Sequence, residues 1–206
     1  MSASMQRLIA PLILGLVAQV AVAVAEAPGP EAVVRQTSER MLAVLRERHA
    51  AIQAEPARLY GFVDDIVLPH FDFERMARWV LGKNWRKTTP EQQQRFVVEF
   101  RNLLVRTYGT ALLEYNDQEV YFLPMRMSTD ADDVTVRTEL RRPAGGGIPI
   151  NYSMYRRADG WKVYDVTIEG ISLVSNYRAT FAGEIRSAGI EGLIARLAER
   201  NIQGGK

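Results

Sequence analysis

Asp64, Asp65, His70 and Asp72 crowd into one short stretch just behind Tyr60. An aspartate–histidine pair set in an apolar pocket is a general acid/base device, because burial and a neighbouring charge bring both groups toward neutral pH. The same residues also read as a solvated helix face (Asp64, Asp65), a loop histidine and a helix cap (Asp72). Local spacing alone does not select an acid/base pair, and the second reading is preferred. Elsewhere the chemistry is thinner. Asp130, Asp132 and Asp133 lack the turn glycine and later acidic ligand of a calcium loop, so a solvated turn is expected. Gly145-Gly146-Gly147 is not followed by the Lys-Ser/Thr of a phosphate loop and reads as a hairpin connection. No HExxH or GxSxG pattern is present. With two histidines and no cysteine, the chain has no thiolate metal site, disulfide or lipidated cysteine, and no cofactor is expected.

A second constellation is basic and aromatic: Arg75, Arg78, Trp79, Lys83, Trp85, Arg86 and Lys87. It suits an anionic lipid headgroup, a protein partner or a membrane surface. The competing reading puts Trp79 in the core and leaves the cations as an ordinary solvated face. Overall charge is nearly balanced, 26 basic against 24 acidic residues, which is not the charge of a nucleic-acid binder.

The N-terminus specifies a compartment. Arg7 precedes an apolar run from Leu8 to Ala25 that ends in Ala23-Val24-Ala25, the small-x-small pattern of a signal-peptidase site. The run is of about the length that could span a bilayer, so an uncleaved anchor is the competing reading. Pro11, Gly15 and Gln19 weaken it as a span. The expectation is residues 1–25 as a cleaved secretory signal and residues 26–206 as one exported domain, without a Pro/Gly/Ser-rich linker or a repeat.

The elements that must position these residues run helices, strands, helix. Val34, Met41, Leu45 and Ile52 form one stripe over a first helix from about Pro30 to Ala54. Pro56 opens a second helix with Leu59, Phe62, Val63, Ile66 and Val67 on one face, stopping before Pro69. Asp72 caps a short third helix that ends at Gly82. Thr89-Pro90-Glu91-Gln92 is a capping box with proline in the first turn, opening a long helix that carries Phe96, Phe100, Leu104 and Tyr108. From Gln118 the apolar period changes to two: Val120 and Phe122, then Val134 to Leu140, then Ile148 to Met154. Asp159-Gly160 turns into Trp161–Ile168. On that last strand Tyr164, Val166 and Ile168 compete with Trp161 and Val163 for the inward face. A final helix holds Ile190, Leu193, Ile194 and Leu197, and the last residues, Gly204-Gly205-Lys206, should fray.

Two stretches resemble a known family. WKVYDVTIEGISLVSNYRATF (161–181) and LPHFDFERMARWVLGKNWRKTTPEQQQRFVVEFRNLLVRTYGT (68–110) are similar to the MlaC-type family, the toluene-tolerance auxiliary proteins. The pieces that carry the resemblance are Phe71-Asp72-Phe73, Leu81-Gly82 with Trp85, Thr89 to Gln92, and the helix from Phe96 to Tyr108. Each is a cap, turn or core aromatic, and only their order and spacing are specific. The four strands joined by short turns read as a curved antiparallel sheet packed against several helices, an α+β class; the resemblance implies its nuclear transport factor 2-like form, with an apolar pocket between sheet and helices. It implies a periplasmic shuttle that binds phospholipid and moves it between outer and inner membranes to maintain outer-membrane lipid asymmetry; a monomer is expected by default, since no coiled-coil or edge-strand pattern points to an oligomer. Its partners would be an outer-membrane lipoprotein–porin complex and an inner-membrane MCE-domain ABC transporter complex. Candidate lipid-binding residues are Val63, Ile66, Val67, Phe71, Trp79, Phe100, Leu104 and Tyr108 from the helical half, with Val136, Ile150, Tyr152, Val166 and Ile168 from the strands. Two alternatives stay open at this point: an enzyme of the same fold using the Asp/His group, and a periplasmic adaptor whose core is filled.

Overall fold

In the computed structural model the described residues are 27–114, 118–125, 131–141 and 145–203. The expected signal segment, Asp130 and the C-terminal Gly204–Lys206 lie outside them.

The helical half begins with α1 (Pro30–Glu47), with Pro30 in its first turn, where no amide partner is lost. The single helix expected from Pro30 to Ala54 is two. At Arg48 the backbone leaves helical geometry (φ −108°, ψ 10°), and α2 (His49–Ala54) starts afresh. An apolar stripe cannot report such a break, because Met41, Leu45 and Ile52 still reach one cluster across it. Pro56, with helical backbone, leads into α3 (Ala57–Ile66) as expected, and a 3-10 turn (Leu68–His70) carries the chain over Pro69. The Asp72 carboxylate accepts the Arg75 amide at 2.8 Å and starts α4 (Phe73–Leu81). A second 3-10 segment (Gly82–Lys87) leads to α5 (Pro90–Gly109). There the capping box forms as expected: the Gln92 amide donates to Thr89 Oγ1 at 3.2 Å, and the Thr89 amide donates to Gln92 Oε1 at 3.1 Å.

The sheet follows as β1 (Glu119–Phe122), β2 (Asp133–Arg141), β3 (Gly147–Arg157), β4 (Gly160–Ile168) and β5 (Ile171–Ser172). It is an antiparallel meander in sequence order. Five strands stand where four are expected. Glu169 and Gly170 both take positive φ (50° and 84°), the backbone of a tight reversal, and return the chain onto Thr167 and Ile168 as β5. Two residues are too few to show alternation, and Ile171 is exposed, so no apolar pattern marks the strand. The uncovered part of the β4 edge is taken by the chain entering α4: Phe71 pairs in parallel with Val163, and the Asp72 amide donates to the Val163 carbonyl at 2.9 Å.

Along β2 buried Val134, Val136 and Thr138 alternate with exposed Asp133, Thr135 and Arg137, so one face meets the helices and the other meets water. α1, α4 and α6 (Leu173–Gln203) contact the sheet. α6 is two helical pieces joined at Gly189, whose φ of 69° and ψ of −178° interrupt the ladder. The C-terminal piece holds the expected apolar residues Leu193, Ile194 and Leu197, all buried.

Candidate functional site

The register settles which β4 residues face inward. Val136 lies opposite Tyr152, and Tyr152 opposite Val166; Ile150 lies opposite both Thr138 and Ile168. All five strand candidates therefore share one face in two adjacent rows. The next row breaks parity: Met154 pairs with Val163, leaving Tyr164 as the extra residue of a bulge. Trp161 and Val163 point inward before the bulge, and Val166 and Ile168 after it. Each competing reading of β4 holds for its own half, except that Tyr164, expected inward with Val166 and Ile168, packs instead against Trp79 and Tyr155.

Burial falls off along these rows. Met154 is fully buried, with Val163 and Val134 buried beside it. Val136 and Val166 are buried, but Tyr152 between them is only half-buried. In the last rows Ile148, Ile150, Ile168 and Leu140 are all half-buried. The apolar face is thus closed at the bulge end and loosely covered at the other. Thr138 brings no unmatched polar group into it, because its hydroxyl donates to the Ile150 carbonyl at 2.8 Å. Burial raises the Tyr152 phenol, and a hydrogen bond with Thr138 offsets part of that.

The helical candidates divide into two groups. Phe100 and Leu104 are buried in the same cluster as the sheet face, with Phe71 and Tyr108 half-buried against it. Val63 and Ile66, with Val67 at their margin, belong to a second cluster with Met41, Leu45, Ile52 and Leu59. α5 is the shared wall: Leu104 faces the first cluster, and Val105 packs on the second. Trp79 joins neither. It is 45% exposed and tilts against Tyr164, 5.1 Å between ring centroids, while Trp85, like Trp161, is buried in the core.

Sequence reasoning did not single out the aromatic brace behind this face. Phe96 stacks on Phe100 at 5.7 Å, Tyr177 meets Phe100 edge-on at 5.4 Å, and Phe181 meets Phe96 at 6.0 Å. The signal was present as the one-turn spacing of Tyr177 and Phe181. Burial pushes the Tyr108 phenol up to about 12, helped by the Tyr177 hydroxyl bonded to it.

The acid/base group does not assemble. Asp64 and Asp65 are exposed, and Asp64 pairs with Arg101 at 2.7 Å. Asp72 is committed as the α4 cap and also accepts from Tyr155 and Arg157. Burial alone would raise its carboxyl, but the Tyr155 hydroxyl, the Arg75 amide and Arg157 together hold it below the usual value. Burial lowers the His70 imidazole, and the charges of Lys162 and Arg40 lower it further. Asp132 pairs with Arg156 at 3.6 Å and Asp133 accepts from Tyr164 at 2.8 Å. Among the described residues no group of three or more His, Asp or Glu is placed to hold a metal ion, and no helix is long and apolar enough to cross a membrane.

A sheet with one apolar face on helices, loosely covered at one end and braced by aromatics at its back, defines an α+β domain organised around its apolar interior. The chain belongs to the MlaC family: residues 35–199 match the family described as "MlaC protein". It is 29% identical to the toluene tolerance protein ttg2D of Pseudomonas putida over 161 residues, 78% of this chain and 74% of that protein. It is 23% identical over 177 residues to the intermembrane phospholipid transport system binding protein MlaC of Haemophilus influenzae, 84% of this chain and 83% of that one. The structure of a phospholipid-binding protein from Ralstonia solanacearum, in complex with a phospholipid, superimposes with a TM-score of 0.81 at 33% identity, over 87% of this chain and all of that one.

Proposed function

We propose that this chain is a phospholipid carrier that binds acyl chains between its sheet and its helices and performs no covalent chemistry. The likeness to the lipid-bound Ralstonia protein over 87% of the chain is the observation that carries this reading. The residue pattern supports it. Removing an acyl chain from a bilayer without a substitute costs on the order of 12 kcal/mol, at about 0.8 kcal/mol for each of roughly 15 methylenes. A carrier must supply an apolar surface of similar reach. The half-buried Ile150, Tyr152 and Ile168, packed against the same cluster as the half-buried Phe71 and Tyr108, are the side chains freest to move aside for a chain. Val136, Val166, Phe100 and Leu104 are buried members of that cluster. Val63, Ile66 and Val67, across the α5 wall, extend the apolar volume available if the two clusters part.

The wider reading follows from family and sequence. Cleavage after Ala25 would release the domain into the periplasm, where its sheet and helices would take on the nuclear transport factor 2-like form around the lipid. There it would exchange phospholipid with an outer-membrane lipoprotein–porin complex and an inner-membrane MCE-domain ABC transporter complex, maintaining outer-membrane lipid asymmetry. The name of the Haemophilus relative, a binding protein of an intermembrane phospholipid transport system, supports this placement. The commitment of Asp64 to Arg101 and of Asp72 to the α4 cap weighs against the enzyme alternative. A transfer assay tests the proposal. Donor vesicles carrying a fluorescent phospholipid are mixed with unlabelled acceptors, and the chain should accelerate exchange in proportion to its concentration. An exchange rate unchanged by the protein would contradict it.

A further inference from the structure

Four cations without an acidic partner among the described residues gather beside the exposed Trp79. One turn beyond that indole, the 3-10 segment Gly82–Lys87 buries Trp85 and leaves Lys83, Arg86 and Lys87 exposed. Arg178 of α6 joins them from another part of the chain. A Cβ built on Gly82 would stand 3.1 Å from its guanidinium, so Arg178 lies across the glycine. Gly82 also has a φ of +53°, a conformation that side-chain-bearing residues rarely adopt. Both demands at this crossing select glycine, and together they bring an α6 cation to the basic step. Two acids beside α4 are already matched: Glu74 pairs with Arg78 at 2.8 Å, and Asp133 has Arg75 at 3.8 Å.

We propose that Trp79, Lys83, Arg86, Lys87 and Arg178 form a docking surface for the anionic phospholipid headgroups of a bilayer. The proposal rests on the carrier reading, since a carrier must meet a membrane surface. Charge complementarity is the argument: long, unpaired Lys and Arg side chains suit a field of mobile phosphates rather than a fixed epitope. A partly exposed indole beside them sits naturally at headgroup depth. Each cation near such a surface strengthens association about fivefold. The attraction weakens as salt shortens the screening length.

The test is sedimentation of the full mature chain with two kinds of vesicle, phosphatidylcholine alone and phosphatidylcholine mixed equally with phosphatidylglycerol. The wild type should bind the mixed vesicles, bind the neutral ones far less, and be released by salt. The triple variant Lys83→Gln, Arg86→Gln, Lys87→Gln should bind roughly a hundredfold more weakly. Circular dichroism shows whether it is folded, and each single variant should lose about fivefold where the triple does not fold. Equal binding to both vesicles, binding to neither, or variants that bind as the wild type would overturn the proposal; binding to neither would leave an acidic protein as the surface's partner. Phospholipid extracted from the same variants should match the wild type. Its absence from the wild type would count against the carrier reading and leave the vesicle result interpretable.

Discussion

Val163 and Val166, three residues apart on β4, face the same side of the sheet because Tyr164 is the extra residue between them. A period of two would place them on opposite sides. The bulge lets one strand carry the closed core at Trp161 and Val163 and the loosely covered apolar face at Val166 and Ile168. It is held from outside: the Tyr164 hydroxyl donates to Asp133 at 2.8 Å, and its ring packs between Trp79 and Tyr155. Deleting Tyr164 would leave Val163 and Val166 two residues apart, both still facing inward, so the protein should fold with a regular ladder and lose only the contacts of Tyr164 with Asp133, Trp79 and Tyr155. Tyr164→Phe keeps the register, loses one charge-assisted hydrogen bond, and should cost about 1.5 kcal/mol in urea denaturation.

Burial separates two substitutions on that face. Ile150 is half-buried, so Ile150→Asp should leave a folded protein whose bound phospholipid falls at least tenfold on extraction. Val166 is 7% exposed, and Val166→Asp should instead lose stability, by at least about 3 kcal/mol. Lipid retained at the wild-type level in folded Ile150→Asp would remove that residue from the site.

Acid should loosen the junction between α4 and the sheet in two steps. His70 is held below its ordinary 6.5, so the unfolded chain binds the proton first. Stability from the neutral imidazole is present above 6.5 and is lost as pH falls through the lower folded value. Asp72 is held below its ordinary 3.8. Its contribution is present above 3.8 and is lost as pH falls through its folded value. Urea midpoints measured against pH should decline in both windows. His70→Gln should flatten the upper one and Asp72→Asn the lower.

Gly189 has a backbone that side-chain-bearing residues avoid, yet a Cβ there would meet nothing within 4 Å. Gly189→Ala should therefore cost only backbone strain, about 1–3 kcal/mol, read as a lower thermal midpoint. A neutral result would mean that the two pieces of α6 can rejoin as one helix at no cost.

Much of this architecture was legible in the residues because the signals were local. Thr89 and Gln92 sit at a capping spacing and form the cap; Asp72 and Gly82 bound α4 as their chemistry requires; the period-two runs became β1 to β4. What escaped were features set by tertiary pairing. The Arg48 break keeps its apolar stripe, β5 is two residues stabilised by its neighbour, and the Tyr164 bulge changes register without changing composition. Candidate site residues were legible as apolar faces, but their division into two clusters on either side of α5 was not, since Leu104 and Val105 are adjacent in sequence. Trp79 and Trp85 are equally apolar in sequence, and only the 3-10 turn decides which is buried.

Native mass spectrometry of the purified mature protein, followed by organic extraction, tests the carrier reading most directly. Stoichiometric diacyl phospholipid on the wild type, reduced in Ile150→Asp, is the predicted result. A bare protein that also takes up no lipid from vesicles would contradict the account and point to an adaptor with a filled core.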